Sequence, residues 1–314
     1  MNRCVQAIAI IVSAPVLLWG TQQQIPAGLT NLGNTCFMNA PLQALFADST
    51  LIQEIKNKLS KGKDITKVYP VTSQFLTLYH DVRKDAHVIK PEAFKQCVIL
   101  NFTTSDIKEA LNNGTRAQTY TFIVALLQAF HSEINLVDQD MSSDVIAIKS
   151  LTSGKEFITV YPGAEREANR YNSNELYIKH VPRILIIRHD AATTPLRAAD
   201  REFKMSDNNG DKEYLYDLYA TVNWVSKAHF IAAVQMPSGA WYQCDDHTVK
   251  ALNQDELVSF FDPQKKNYNF GTPELLFYRL RGETKKAHAL NYVELLADVK
   301  RYCSGLYLGL VLKK

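Results

Sequence analysis

Residues 122–134 read Phe-Ile-Val-Ala-Leu-Leu-Gln-Ala-Phe-His-Ser-Glu-Ile, with apolar side chains around most of a helical circumference. Such a helix lacks a broad solvated face and must be covered by other elements. The segments on its two sides differ in period. Before it, residues 50–115 show helical patches broken at Lys61-Gly62-Lys63 and Asn112-Asn113-Gly114, which predicts a mainly helical lobe. After it, Ile184-Leu185-Ile186-Ile187 is a buried-strand run, and Tyr214 to Asn223, His229 to Met236 and Trp241 to Asp245 alternate apolar and polar residues. Pro237-Ser238-Gly239-Ala240 is a hairpin turn between the last two, and Glu156 to Tyr161 reads as a further short strand. Helices first and an antiparallel sheet second make an α+β chain of two lobes, with a cleft between them as the place for a site.

Composition narrows the function classes. The chain has 314 residues, 46% apolar, enough for a large core. A net charge of +3 with scattered basic residues argues against nucleic acid, and the mildly basic run from Lys56 to Lys67 reads as a solvated face. Five cysteines, at 4, 36, 97, 244 and 303, form no C-x-x-C pair, so neither a zinc ribbon nor a disulfide framework is implied. The apolar run from Val5 to Trp19 has the length of a signal-peptide core and is short of a bilayer span. Residues 1–24 therefore have two readings: an export or membrane-targeting segment, through which the chain would associate with a membrane, or a hydrophobic segment packed on a cytoplasmic domain.

The chemistry starts at Cys36. Asn31-Leu32-Gly33-Asn34-Thr35-Cys36 runs from a glycine-containing turn into a helical pattern in which Leu42, Leu45 and Phe46 recur. A helix N-terminus presents unpaired N–H groups and favours the thiolate form of a cysteine placed there. Pro41 lacks a backbone donor, so the helix is expected to start late or to kink. A thiolate nucleophile needs a base, and the base needs an orienting group. His229 begins one strand and Asp245 ends its hairpin partner, so the two can be neighbours. A histidine at a strand start is more often a satisfied structural residue, and the residues alone leave both readings open.

Gly28-Leu29-Thr30-Asn31-Leu32-Gly33-Asn34-Thr35-Cys36-Phe37-Met38-Asn39 resembles the cysteine box of the ubiquitin-specific proteases. Tyr216 to Asn223, Ala228-His229-Phe230 and Trp241 to Asp246 resemble the histidine box of the same family, in the same order. Pro182 to Arg188 and Glu274 to Arg279 resemble two further strands of its domain. The resemblance implies a papain-like cysteine protease fold with a helical thumb and an antiparallel-sheet palm. It implies hydrolysis after the C-terminal glycine of ubiquitin through a thioester, with ubiquitin or ubiquitinated proteins as partners and no cofactor. By position Cys36 would be the nucleophile, His229 the base, Asp245 the residue that orients the ring, and Asn31 the side-chain donor to the oxyanion. Asp246 is the second-choice acid, because successive strand residues point to opposite faces. Gln118, Ala228 and Phe230 would line the path of the substrate tail.

The chain also departs from that pattern. The four zinc-binding cysteines of the fingers are missing and the insertion is short, so reduced fingers and no metal are expected. Where the family opens its central helix with two acids that pair with arginines of ubiquitin, this chain has Arg116-Ala117-Gln118-Thr119-Tyr120-Thr121. Ala228 stands where glycine is usual and narrows the channel for the tail. Two alternatives follow: a weak or inactive ubiquitin-binding scaffold, or a protease for another ubiquitin-like modifier. The expected catalytic domain is 25–282, followed by a helical extension over 283–314. An export segment on a compact domain would suit a bacterial effector acting in a host cell.

Overall fold

The computed structural model describes residues 25–59, 69–84, 88–136, 146–150, 181–188, 201–206, 212–225, 229–260 and 270–285. The N-terminal run, the strand expected at 156–161, the extension beyond 285 and Ala228 lie outside the described residues. No helix among the described residues is long and apolar enough to cross a membrane.

Among the described residues, six helices build the first lobe: α1 (Cys36–Phe46), α2 (Thr50–Leu59), α3 (Pro70–Lys84), α4 (Glu92–Asn101), α5 (Ser105–Asn113) and α6 (Thr119–Ile134). The expected all-round burial of α6 takes the form of eight buried residues, from Thr119 to Phe130, in contact with α1, α2, α3 and strand β8 (Thr272–Lys285). Aromatic rings fill the spaces between these helices. Phe75 meets Phe130 edge-on at 5.0 Å and Phe46 at 5.1 Å, while Phe122 touches Phe37 at 6.3 Å and Phe102 at 6.1 Å. Helix ends are closed by side chains from other elements. The Glu133 carboxylate accepts the Val71 and Thr72 N–H groups at the start of α3, and Arg83 donates to the Phe46 carbonyl at the end of α1.

Pro41 neither delays nor interrupts α1. The helix starts at Cys36 and runs through the proline to Phe46, with all eleven residues buried. A mid-helix proline costs about 3 kcal/mol through its lost hydrogen bond and its ring. Burial of the whole helix against α6 and the palm offsets that cost, because tertiary packing rather than propensity carries most helix stability.

The palm is an eight-stranded sheet in the order β1-β2-β8-β4-β5-β6-β7, with β3 (Glu202–Ser206) paired to β4 (Lys212–Val225) off that path. Most neighbours are antiparallel, as expected, but β1 (Ile146–Ser150) and β2 (Ile184–Arg188) run parallel. Alternation explains the unbroken apolar run in β2. Ile184 and Ile186 enter the core shared with the helices, while Leu185 and Ile187 join a second cluster with Trp241, Leu252, Phe270 and Leu276. A strand buried on both faces has no polar period to show. Helix α7 (Gln254–Phe260) follows β7 (Thr248–Ala251), and β8 continues to Lys285, past the expected boundary at 282. Helix α1 packs on β5 (His229–Gln235), which brings the Cys36 end of the thumb against the hairpin of β5 and β6 (Trp241–Asp245).

Candidate active site

The loop before Cys36 is fixed by its own polar groups. Asn31 Oδ1 accepts the backbone N–H groups of Gly33 and Thr35, both at 3.1 Å, and the Leu32 N–H donates to Thr35 Oγ1 at 2.9 Å. Gly33 sits at φ 93°, a conformation open to glycine and strained for other residues, and Asn34 follows at φ 52°. The turn then delivers Thr35, whose carbonyl receives the Met38 and Asn39 N–H groups as α1 begins. Cys36 is therefore the first residue of α1, beside the N–H groups of a helix end.

Across the seam, His229 Nε2 lies 2.6 Å from Asp245 Oδ1. Ala232 and Cys244 face each other directly in the hairpin, so His229 and Asp245 meet as diagonal neighbours. That contact leaves Nδ1 as the ring nitrogen for the nearby Cys36 thiol. The Asp245 and Cys36 partners together raise the imidazole from its ordinary value of 6.5 to about 10, against an opposing contribution from burial. Burial raises the Cys97 thiol and pushes Cys244 up to about 12.

Asp246 does more than the strand period suggests. It leaves β6 at φ 48°, which turns its carboxylate back toward the thumb. Asn31 Nδ2 donates to its Oδ2 and Asn39 Nδ2 to its Oδ1, each at 2.8 Å. Burial raises this carboxyl, and the two amides act in the opposite sense. Because Gly33 and Thr35 hold Asn31 Oδ1, the Asn31 Nδ2 group is the end that faces Asp246. The same contact ties backbone to backbone: the Leu29 N–H donates to the Asp246 carbonyl at 2.8 Å, while Gly28 lies so close to His247 that an added Cβ would stand 2.3 Å from its carbonyl oxygen. The strand and helix periods do not give the contact between Asp246 and Asn39: the positive φ turns Asp246 to the thumb, and the first turn of α1 carries Asn39.

The expected substrate-side residues are placed unevenly. Gln118 precedes α6 as an exposed N-cap residue, and Phe122, on the first turns of that helix, packs against Phe37 next to Cys36. Phe230 is buried, its ring in the core shared with α1. An acid does stand at the N-terminus of α6, brought there by β8. Burial raises the Glu274 carboxyl, opposed by the nearby Arg188 and a hydrogen bond from the Tyr120 backbone. Arg188 in turn lies over the Tyr120 ring at 4.8 Å. Trp224, at the end of β4, is half exposed.

Comparison with known proteins gives consistent matches. The family profile for ubiquitin carboxyl-terminal hydrolases matches residues 27–278. The probable ubiquitin carboxyl-terminal hydrolase 4 of Schizosaccharomyces pombe (strain 972 / ATCC 24843) is 33% identical over 122 residues, which cover 35% of this chain and 19% of that protein. The chain thus spans well under half of that curated relative. Among solved structures, the SAGA DUB module of Ubp8, Sgf11, Sus1 and Sgf73 bound to monoubiquitin superposes with a TM-score of 0.53 at 13% identity, over 85% of this chain and 73% of that one. The same module bound to ubiquitin aldehyde gives 0.51 at 13% identity, over 82% and 70%. At that identity the likeness is one of fold.

Proposed function

The chain belongs to the ubiquitin carboxyl-terminal hydrolase family, and from that membership we propose that residues 25–282 form a cysteine-dependent deubiquitinase that cuts the bond after the C-terminal glycine of ubiquitin. The observation that carries this reading is the convergence of Cys36, His229, Asp245 and Asn31 at the seam between α1 and the β5–β6 hairpin.

In this mechanism the Cys36 proton passes to His229 Nδ1, and the Sγ thiolate attacks the carbonyl carbon of the scissile bond. The negative oxygen formed there takes hydrogen bonds from the free N–H of Asn31 Nδ2 and from the Cys36 backbone. Asp245 holds the ring and stabilises its charge. As the tetrahedral adduct collapses, His229 gives its proton to the leaving amine and a thioester joins Cys36 to ubiquitin. Water, deprotonated by His229, attacks that thioester and releases the carboxylate and the thiol. No cofactor enters.

Glu274 supports ubiquitin as the substrate, because it offers a carboxylate at the helix end where Arg116 to Thr121 has none. The missing acids themselves support a second reading, a protease for another ubiquitin-like modifier. A panel of fluorogenic ubiquitin and ubiquitin-like substrates separates the two. A ubiquitin electrophile probe tests the chemistry: it is expected to label the wild type and not Cys36→Ala, and equal labelling of both would remove the proposal.

A further inference from the structure

His229 Nε2 and one oxygen from each of Asp245 and Asp246 lie within 4.8 Å of one another. Nε2 is 2.6 Å from Asp245 Oδ1 and 3.9 Å from Asp246 Oδ2. Donors around a tetrahedral zinc ion, with bonds of about 2.0–2.2 Å, stand roughly 3.3–3.5 Å apart. The first pair opens and the second closes by under about 1 Å to meet that spacing, and the Asp245 and Asp246 oxygens, within 4.8 Å of each other, adjust through the more exposed Asp245 side chain. The Asp245 side chain is 46% exposed, which leaves an approach from solvent and room for a water as fourth ligand, while Asp246 is fixed by Asn31 and Asn39. Two carboxylates and a neutral imidazole balance a dication. The imidazole nitrogen selects a zinc-type cation over magnesium or calcium, which prefer oxygen alone.

We propose that this chain carries an inhibitory zinc site on the Nε2 side of His229, formed by His229, Asp245 and Asp246 and separate from the Cys36 thiol. An imidazole that ligates a metal through Nε2 keeps its proton on Nδ1. With Nε2 on the metal, Nδ1 is the ring nitrogen left for Cys36, so the ring has no lone pair for the thiol proton, and Asp245 no longer orients it. Zinc thus stops the enzyme by fixing the wrong tautomer, leaving the nucleophile untouched. The inhibition rests on His229 acting as base; the binding site does not.

The test uses the full chain and zinc chloride alone. Equilibrium dialysis is expected to show one zinc per wild-type chain, affinity within about twofold in Cys36→Ala, and a loss of about tenfold or more in Asp246→Ala. Asp245→Ala, at an exposed side chain, gives the same loss should Asp246→Ala fail to fold by circular dichroism. Cobalt in place of zinc is expected to give a visible spectrum without a thiolate charge-transfer band. In the wild type, zinc is expected to suppress ubiquitin substrate turnover and a chelator to restore it. Binding that vanishes in Cys36→Ala, a cobalt–thiolate band, affinity retained in both aspartate variants, or no stoichiometric binding would each overturn the site. A wild type without turnover in the absence of zinc overturns the deubiquitinase reading instead, and dialysis still decides the site.

Discussion

At the seam, Asn31 and Asn39 of the thumb reach Asp246 of the palm through hydrogen bonds of 2.8 Å, and within the palm His229 meets Asp245 at 2.6 Å. At the N-terminus of α6, Arg116 and Gln118 are exposed, and the acid comes from a different strand. Bond-making depends on a few atoms held to within tenths of an ångström, so its residues keep their motif. Gripping a protein substrate is spread over many side chains, so a charge can migrate from one element to another while the contact survives.

Five substitutions probe that difference, the largest effect first. Cys36→Ala is expected to lower turnover of a ubiquitin substrate by at least about 10⁴-fold, with the thermal melt of the wild type. Asn31→Ala should reduce kcat by about 10²–10³-fold through the lost oxyanion donor; a drop confined to KM would place Asn31 with the gripping residues. Gly28→Ala tests the seam from its backbone side. The added methyl meets the His247 carbonyl and should cost about 1–3 kcal/mol in chemical denaturation, since backbone cannot swing aside.

Asp245→Asn acts through pH. A folded-state value of about 10 against an ordinary 6.5 means that His229 contributes stability in full below pH 6.5, and that this contribution fades as pH rises to about 10. In Asp245→Asn the fading, and the alkaline limb of kcat/KM, should both move to lower pH; unchanged profiles would detach Asp245 from the ring. The smallest effect is expected for Glu274→Gln: a rise in KM of up to about fivefold at unchanged kcat, shrinking at high salt. An equal fall in kcat would move Glu274 into the chemistry.

Much of the site was legible because it lies on regular elements. The helix behind Cys36 and the hairpin holding His229 and Asp245 follow from periods of 3.6 and 2 with a turn between them, and the observed strand bounds of β6 coincide with the alternating run from Trp241 to Asp245. The direction of Asp246 does not follow from the same rule, since the period ends where the backbone turns to φ 48°. Pro41 was read by local cost alone, without the burial that outweighs it. The parallel pairing of β1 with β2 and the arrival of Glu274 at α6 join residues far apart in the chain, and local period carries no information about either.

The bond from Asn31 to Asp246 spans 215 residues and that from Asn39 spans 207. Loops of that length close late, after the helices and hairpins have formed from neighbours in sequence. The order of assembly is therefore readable from reactivity. On dilution from denaturant, helical circular dichroism is expected to recover first and labelling of Cys36 by a ubiquitin probe last, which makes the probe a reporter of the final folding step.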